Sequence, residues 1–315
     1  MPAAAARRPL ELGIAVGGMS DPGDWTRVLA RVERAEALGL HSVWLPEGHF
    51  GPGAVPSPLV ALAAFAARTR RLRLGTTSLL LPVRPPAQVA EEVATLDRLS
   101  GGRVWLGLGR GFRAPLFEVF DVPASQKRDR FDAALDEILR IWASPEGGPK
   151  PLQEPHPPLL VAAFGRKGLL QAARRGLPYL ASPLESLDVL ADNFAYHRAH
   201  LPPGTDPGAL RVAVIRTVHA AAGDAEARRV LDALAQESRR VAGQVPPAIA
   251  RAAAGAPEER AVVGTLPQVV ERLSAYRERL GLDLLIARGG VPGAGEAEID
   301  ASLERLTGQV LPALA

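Results

Sequence analysis

The sequence predicts a closed (β/α)8 barrel, because short apolar segments alternate with longer segments of helical period along its 315 residues. Eight short segments are found, and each is followed by a helical segment, which favours a closed barrel over an open doubly wound sheet. No shift in composition divides the chain, so one domain covering residues 1–315 is predicted. The predicted strands are Leu10–Val16, His41–Pro46, Leu72–Leu81, Arg103–Leu108, Leu159–Ala163, Tyr179–Ala181, Val212–His219 and Leu282–Ala287.

The first two helices have recognisable ends. Asp24 can cap the first helix, because its carboxylate can accept hydrogen bonds from the free N–H groups of the first turn. Gly39 follows the last apolar position and is expected to end that helix. Ser57 and Pro58 open the second helix, where Ser57 would supply a capping oxygen and Pro58 a preset φ.

Later segments follow the same rules with one exception. Gly101 and Gly102 stop the third helix, Ala87–Leu99. The segment Arg128–Ala143 is predicted to be a helix with one apolar stripe. The exception is Gly243–Gly264, an Ala-, Pro- and Gly-rich connection between strands seven and eight, which predicts a long insertion that is either a mobile lid or an excursion. The apolar stripe of the predicted helix Arg128–Ala143 consists of Phe131, Leu135, Ile138, Leu139 and Trp142.

Composition excludes several classes of protein. The chain has no cysteine, which excludes disulfides, thiolate metal sites and cysteine nucleophiles. No apolar segment approaches the roughly 20 residues that cross a bilayer, and the start lacks the apolar core of a signal peptide, so a cytoplasmic protein without a membrane partner is expected. The net charge of +3 comes mostly from scattered arginines mixed with acidic residues, which predicts no nucleic-acid partner.

Polar side chains at the carboxyl ends of the strands are the candidate site, because (β/α)8 barrels bind their ligands there. Strand two leads into Glu47 and His49, which stand where a proton donor or base could act. A single histidine at a strand end can equally be a hydrogen-bonded structural residue. His197 and His200 are three residues apart on a helix, but no third ligand accompanies them, so no metal site is predicted.

Two segments are suited to an anion. Gly165-Arg166-Lys167-Gly168 follows strand five at a helix start, where free N–H groups, the helix dipole and two cations would favour a phosphate. The alternative is a loop with solvated charges. Arg110 lies between two glycines at the end of strand four and is a candidate anion clamp, although the same glycines also fit a tight turn. That segment lacks the third glycine of a dinucleotide-binding fingerprint.

Taken together, several segments resemble the bacterial luciferase-like flavin-dependent oxidoreductases. Leu38–Glu47 followed by His49 and Phe50 is similar to a family segment that usually reads Glu-His-His-Phe. The stretch from Ala90 to Arg103 is similar to the family's most recognisable segment. The resemblance runs from about residue 10 to residue 290. Its other motifs are Leu72–Thr76, Gly107–Gly111, Ala172–Pro178 and Val263–Thr265.

The resemblance implies a barrel that binds reduced flavin, usually FMN, at the carboxyl ends of its strands. By position, Arg110 and the segment Gly165–Gly168 would hold the phosphate. Thr76, Thr77 and Ser78 would lie beside the flavin ring, with a non-prolyl cis peptide bond expected between Thr77 and Ser78. The segment Gly243–Gly264 would correspond to a lid that shields the flavin from water.

The resemblance further implies an FMN-dependent monooxygenase that receives reduced flavin from a separate reductase and acts with O2 on a small organic substrate. Family members commonly pair through their second and third helices, so residues 57–70 and 87–99 would form a homodimer interface. Gly48 and Pro85 stand where the family usually has histidines, which leaves His49 as the nearby imidazole to orient or protonate the substrate.

Two alternatives stay open at this point. One is a deazaflavin coenzyme that transfers hydride without oxygen, and the other is a flavin-binding barrel without catalysis. An apolar site mouth is also predicted, although each of its side chains could instead belong to the core. Its candidate side chains are Phe50, Leu79, Leu80, Leu81, Phe112 and Phe117.

Overall fold

A computed structural model describes residues 8–17, 24–51, 53–242 and 255–315. These residues divide into two compact units. Residues 15–37 and 41–162 form the N-terminal unit, and the remaining described residues form the C-terminal unit. Nothing in this division tests the prediction that residues 1–315 are one domain, which stays a prediction.

The N-terminal unit is built on parallel strands in the order β2-β3-β4-β5. All six residues of β4 are buried, as expected for a parallel strand covered on both faces. Trp44 is fully buried against Gly75, and a Cβ on Gly75 would lie 2.1 Å from the indole ring, so only glycine fits there. The strands are β2 (Ser42–Leu45), β3 (Arg73–Leu80), β4 (Val104–Gly109) and β5 (Leu159–Ala162), and the helices are α1 (Trp25–Ala37), α2 (Pro58–Arg68), α3 (Pro86–Ser100), α4 (Ala114–Val119) and α5 (Lys127–Ala143).

The C-terminal unit is centred on one long strand, β7. The residues Ala213–Arg216 of β7 pair with β9, and Thr217–Ala220 pair with β8, all in parallel. The strands are β1 (Glu11–Ala15), β6 (Tyr179–Ala181), β7 (Ala213–Ala220), β8 (Ala261–Gly264) and β9 (Leu284–Arg288). The helices are α6 (Gly165–Arg174), α7 (Leu187–Ala199), α8 (Asp224–Ala242), α9 (Pro257–Arg260), α10 (Leu266–Leu280), α11 (Glu296–Arg305) and α12 (Leu311–Ala313).

All eight predicted strands are present within two residues of their predicted limits, and two predictions need correction. The connection Gly243–Gly264 is not irregular throughout, because α9 and β8 occupy its last eight residues; its residues 243–254 lie outside the described part of the chain. The short apolar run of β8 was not distinguished from the Ala-, Pro- and Gly-rich residues that precede it. Ser57 precedes α2 but makes no capping hydrogen bond, whereas Asp24 accepts one from the N–H of Arg27 at 3.0 Å.

The family-like segment after α3 contains a buried arginine, Arg103, whose five N–H donors all have acceptors. Its Nε donates to the carbonyl of Ser100 at 2.6 Å. One terminal nitrogen donates to the Thr69 hydroxyl and the Leu72 carbonyl, and the other donates to the carbonyls of Ala66 and Thr69. Arg103 therefore ties the ends of α2 and α3 to the start of β3, which is a structural role.

A buried carboxylate in the same segment holds the chain that leads into β5. Asp97 is fully buried and accepts hydrogen bonds from the N–H groups of Leu152 and Gln153 at 2.8 and 2.9 Å. It also accepts one from the Gln153 amide at 2.8 Å and one from the Val104 N–H at 3.3 Å. The segment that most strongly carries the resemblance is thus a folding element rather than a site.

Candidate functional site

The carboxylate of Glu47, just after β2, is surrounded by donors. It accepts a hydrogen bond from the Leu80 N–H at 2.8 Å, and both of its oxygens lie 3.1 Å from Nε of Arg84. Arg84 is itself held in place by a 3.0 Å hydrogen bond to the Pro56 carbonyl. His49 completes the set, with Nε2 at 2.8 Å from Oε1 of Glu47. Because the Glu47 side chain is fully buried and its oxygens are occupied, we interpret Glu47 as a positioning partner of His49.

The hydrogen bond between His49 and Glu47 determines the tautomer of His49. A carboxylate that forms an ion pair with Arg84 offers only acceptors, so Nε2 of His49 must carry the proton of their shared hydrogen bond. Nδ1 is then an acceptor, and it makes no hydrogen bond to any residue that the structure describes. The imidazole is fixed on one side and can accept or return a proton at Nδ1.

The end of β3 carries the three predicted flavin-contact residues. The Thr77–Ser78 peptide bond is cis, as the resemblance implies. Thr76 is fully buried and donates its hydroxyl proton to the Gly107 carbonyl at 2.8 Å, so this hydroxyl stabilises the sheet. Thr77 and Ser78 are half-buried, and the Ser78 carbonyl accepts the N–H of Glu47 at 3.2 Å. A Cβ on Gly109 would lie 1.9 Å from the Ser78 hydroxyl, so β4 requires glycine there.

Arg110, at the end of β4, lies in a group of cations. It donates to the Ala162 carbonyl at 2.9 Å and lies 5.9 Å from the ring centroid of Phe131. Burial and, to a smaller extent, the charge of Arg128 lower the pKa of Arg110 to about 10, and Asp132 opposes the shift. The guanidinium is therefore poorly solvated and close to a like charge, an arrangement that an anionic ligand would stabilise.

Lys127 and Arg128 begin α5, and Arg128 acts electrostatically on Arg110. Burial lowers the pKa of Lys127, and so do the charges of Arg128 and Arg110. Cations are unfavourable at a helix N-terminus, where the dipole favours negative charge, and α5 has no side-chain cap. We refer to Arg110, Lys127 and Arg128 as the cation cluster. Its charged N–H donors are of the kind that bind a phosphate group.

The predicted phosphate segment Gly165-Arg166-Lys167-Gly168 begins α6 in the C-terminal unit. The first turn has no side-chain cap, and Gly165, Arg166 and Lys167 are exposed whereas Gly168 is buried. The guanidinium of Arg166 lies 4.3 Å from the ring centroid of Tyr196, so this cation is stacked on an aromatic ring. That these four residues bind a phosphate stays a prediction.

The predicted apolar mouth divides into exposed and core residues. Phe50 and Phe112 are exposed, at 63% and 42%. The other four candidates belong to the core, because β3 runs into a turn that packs against α4. Phe120, which sequence reasoning missed, is 39% exposed, and its ring lies edge-on to His49 with the centroids 5.1 Å apart. The core residues are Leu79, Leu80, Leu81 and Phe117.

Arg84, Lys127 and Arg128 were also missed. For Lys127 and Arg128 a signal was present, because a basic pair at the start of a predicted helix opposes the helix dipole and requires a reason. For Arg84 there was none, since its partner Glu47 lies 37 residues earlier in the chain. Among the described residues, no helix is long and apolar enough to cross a membrane, and no group of three or more metal-binding side chains is found.

The sequence of this chain is similar to those of known proteins. The model of a family described as luciferase-like monooxygenase matches residues 12–283. An uncharacterized protein of Sinorhizobium fredii is 32% identical over 166 residues, and the match covers 47% of this chain and 48% of that protein. The chain thus spans about half the length of that relative. The oxygenase component of the flavin-dependent trigonelline monooxygenase of Acinetobacter baylyi is 25% identical, with 89% of this chain and 87% of that protein covered.

Solved structures show the same architecture. A monooxygenase from Streptomyces bottropensis superposes with a TM-score of 0.81 at 25% identity, over 97% of this chain and 100% of that one. The oxygenating constituent of 3,6-diketocamphane monooxygenase from Pseudomonas putida was solved in complex with FMN. It superposes with a TM-score of 0.79 at 19% identity, over 98% of this chain and 99% of that one. The predicted fold class, a closed barrel of eight parallel strands with helices between them, is confirmed by this likeness. Because the family match covers most of the chain, the protein belongs to the luciferase-like monooxygenase family.

Proposed function

We propose that the chain is the oxygenase component of a two-component monooxygenase that uses reduced FMN and O2 on a small organic substrate. The observation that carries this proposal is the cation cluster, because the poorly solvated guanidinium of Arg110 and the two basic groups of Lys127 and Arg128 fit the phosphate of FMN. Two comparisons support it: one relative is named an oxygenase component, and one similar structure contains FMN. The naming of that relative also supports a separate flavin reductase as a transient partner.

The chain's own residues have distinct tasks in this proposal. Reduced FMN, when bound, supplies the electrons that activate O2. The cation cluster neutralises the phosphate, and the half-buried Thr77 and Ser78 lie on the same unit to contact the ring. His49 accepts or returns a proton at Nδ1, while Glu47 and Arg84 hold its ring and its tautomer.

An oxygen-uptake experiment tests the proposal without a known substrate. Protein loaded anaerobically with reduced FMN is mixed with oxygenated buffer, and oxygen uptake and the return of oxidised-flavin absorbance are followed together. We expect oxygen uptake to precede the return of absorbance, because an oxygenase retains activated oxygen for its substrate. If the two signals change together at the rate of free reduced FMN, the proposal is wrong.

The His49→Gln variant is expected to lose turnover while it retains the flavin. General acid–base catalysis contributes about 10²- to 10⁴-fold, so kcat should fall by at least about a hundredfold, whereas the affinity for reduced FMN should change less than about twofold. The measurement is oxygenated product formed in an assay coupled to a flavin reductase. His156→Gln, a half-buried histidine elsewhere in the same unit, is the control. Unchanged kcat in His49→Gln would remove this residue from the mechanism.

The affinity for FMN is expected to depend on pH through Arg110. This arginine is charged below its pKa of about 10 and loses its charge above it, so FMN affinity should begin to fall as the pH rises through about 10. Riboflavin has no phosphate, and its affinity should not follow this dependence. Fluorescence titrations between about pH 8 and pH 11 provide the measurement. A parallel decline for both flavins would indicate general unfolding instead.

A homodimer through α2 and α3 is part of the proposal. The outward side of α2 is apolar, with Val60 73% exposed and Ala64 and Ala67 also exposed. We expect a dimer at micromolar concentration and a shift to monomer in Val60→Glu, because a buried unpaired carboxylate is costly. Val189→Glu, an exposed valine on α7, should leave the dimer intact. Light scattering measures the mass, and a monomeric wild-type protein would exclude this interface.

A further inference from the structure

Two exposed phenylalanine rings lie next to His49. The ring centroids of Phe50 and Phe120 are 5.5 and 5.1 Å from that of the imidazole and 6.1 Å from each other. Phe50 is 63% exposed and Phe120 is 39% exposed. We call this pair the aromatic face. All three residues belong to the N-terminal unit.

The position of Phe50 requires an explanation. Its φ is +55°, in the left-handed region that bulky side chains rarely adopt. The chain therefore tolerates an unfavourable backbone conformation and still leaves a large apolar ring in solvent. Such strain together with adjacent exposed apolar side chains is typical of a ligand-binding surface rather than of a core.

The aromatic rings and Nδ1 of His49 together limit the chemical class of ligand that this surface can bind. Aromatic side chains pack best on planar rings, in offset or edge-to-face geometry. Nδ1 of His49 is an acceptor, since Nε2 donates its proton to Glu47, so it pairs with a ligand hydroxyl. Ketones and aldehydes have only acceptors and would leave Nδ1 unsatisfied. A planar ring that carries an acidic hydroxyl group satisfies both requirements.

We propose that the aromatic face binds a phenol-class substrate, with its ring on Phe50 and Phe120 and its hydroxyl on Nδ1 of His49. This inference rests on the proposed function, since it names the substrate class of the same site. When the phenolic O–H bond breaks, the proton moves to Nδ1 and the oxygen keeps the electron pair. The imidazolium that forms is stabilised by the Glu47 carboxylate, and Nε2 keeps its own proton.

Three matched probes test the proposal: 4-ethylphenol, ethylbenzene and 4-ethylcyclohexanol. Their affinities are measured by ligand-observed NMR on the full chain, first without flavin and then anaerobically with saturating reduced FMN. We expect 4-ethylphenol to bind at least about fivefold more tightly than either analogue, because one analogue lacks the hydroxyl and the other lacks the aromatic ring. Equal affinities for the three probes, or binding of none under either condition, would overturn the proposal.

Variants of His49, Phe120 and Phe50 show which side chains cause the preference for 4-ethylphenol. His49→Leu should remove the advantage of 4-ethylphenol over ethylbenzene, and Phe120→Leu should reduce its advantage over 4-ethylcyclohexanol by about threefold or more. Phe50→Leu provides a second test of the ring contact in case Phe120→Leu does not fold. Trp25→Leu, an exposed aromatic residue on α1, is the control and should change neither ratio. Ratios that stay at wild-type values in all of the site variants would contradict the assignment.

The two proposals can fail separately. If the probes bind as expected but reduced FMN does not bind, the proposed function is wrong and the phenol site stands as a binding site. If reduced FMN binds and oxygen uptake is as expected, but the probes are not distinguished, the monooxygenase stands and the phenol class is wrong.

Discussion

The Arg103→Met variant is expected to lose about 3–5 kcal/mol of unfolding free energy, because it removes a buried cation whose five N–H donors are all bonded. Methionine keeps much of the side-chain volume but leaves the acceptors of Ala66, Thr69, Leu72 and Ser100 without their donor. Each buried acceptor without a donor costs about 1–3 kcal/mol. Loss of this one side chain should therefore loosen the ends of α2 and α3 together.

Chemical denaturation with urea measures this effect. Arg140→Met is the matched control, because Arg140 is exposed and its ion pair with Glu137 lies in solvent. Such exposed pairs are screened by solvent and contribute little to stability, so this control should unfold close to the wild-type midpoint. Arg103→Lys should fall between the two, since lysine keeps the charge but has only three donors. If Arg103→Met and Arg140→Met unfold at the same urea concentration, the hydrogen bonds of Arg103 do not stabilise the fold.

The Arg110→Ala variant is expected to bind reduced FMN at least about tenfold more weakly than the wild type, which corresponds to about 1.4 kcal/mol. The physical reason is that Arg110 is largely desolvated and lies close to another cation, so an anion gains more from it than from a solvated arginine. Arg128→Ala should weaken binding in the same direction, because Arg128 belongs to the same cation cluster. Anaerobic fluorescence titration measures both variants.

Riboflavin separates a phosphate contact from a general effect on the site. It has the flavin ring but no phosphate, so wild type and Arg110→Ala should bind reduced riboflavin with the same affinity. A loss that is equal for FMN and riboflavin would show that Arg110 supports the structure of the site. An unchanged affinity for FMN would remove Arg110 from the phosphate contact.

Strands such as β4 and β5 could be predicted because a buried parallel strand leaves a short apolar run in the sequence. The strand β8 escaped prediction because it lies at the end of the Ala-, Pro- and Gly-rich connection Gly243–Gly264, which was predicted to be one irregular insertion. The Ser57 cap failed for another reason: a residue type that can cap a helix does not ensure that its side chain turns toward the free N–H groups.

The site was predictable where chain position determines it and not where side chains meet across the fold. His49, Glu47 and Arg110 follow strands, so their place at the strand ends could be inferred. The ion pair of Arg84 with Glu47 and the stacking of Arg166 on Tyr196 join residues that are far apart in the sequence, so no local residue pattern indicates either contact. For the same reason Glu47, expected as a catalytic group, is interpreted from its contacts as a partner that orients His49.

The central claim is that this chain uses FMN, and the most direct test is an anaerobic titration of the wild-type protein with reduced FMN beside the reduced deazaflavin coenzyme. Protein fluorescence follows binding of each. We expect micromolar or tighter binding of reduced FMN and clearly weaker binding of the deazaflavin. Preference for the deazaflavin, or binding of neither, would show that FMN is not the coenzyme of this chain.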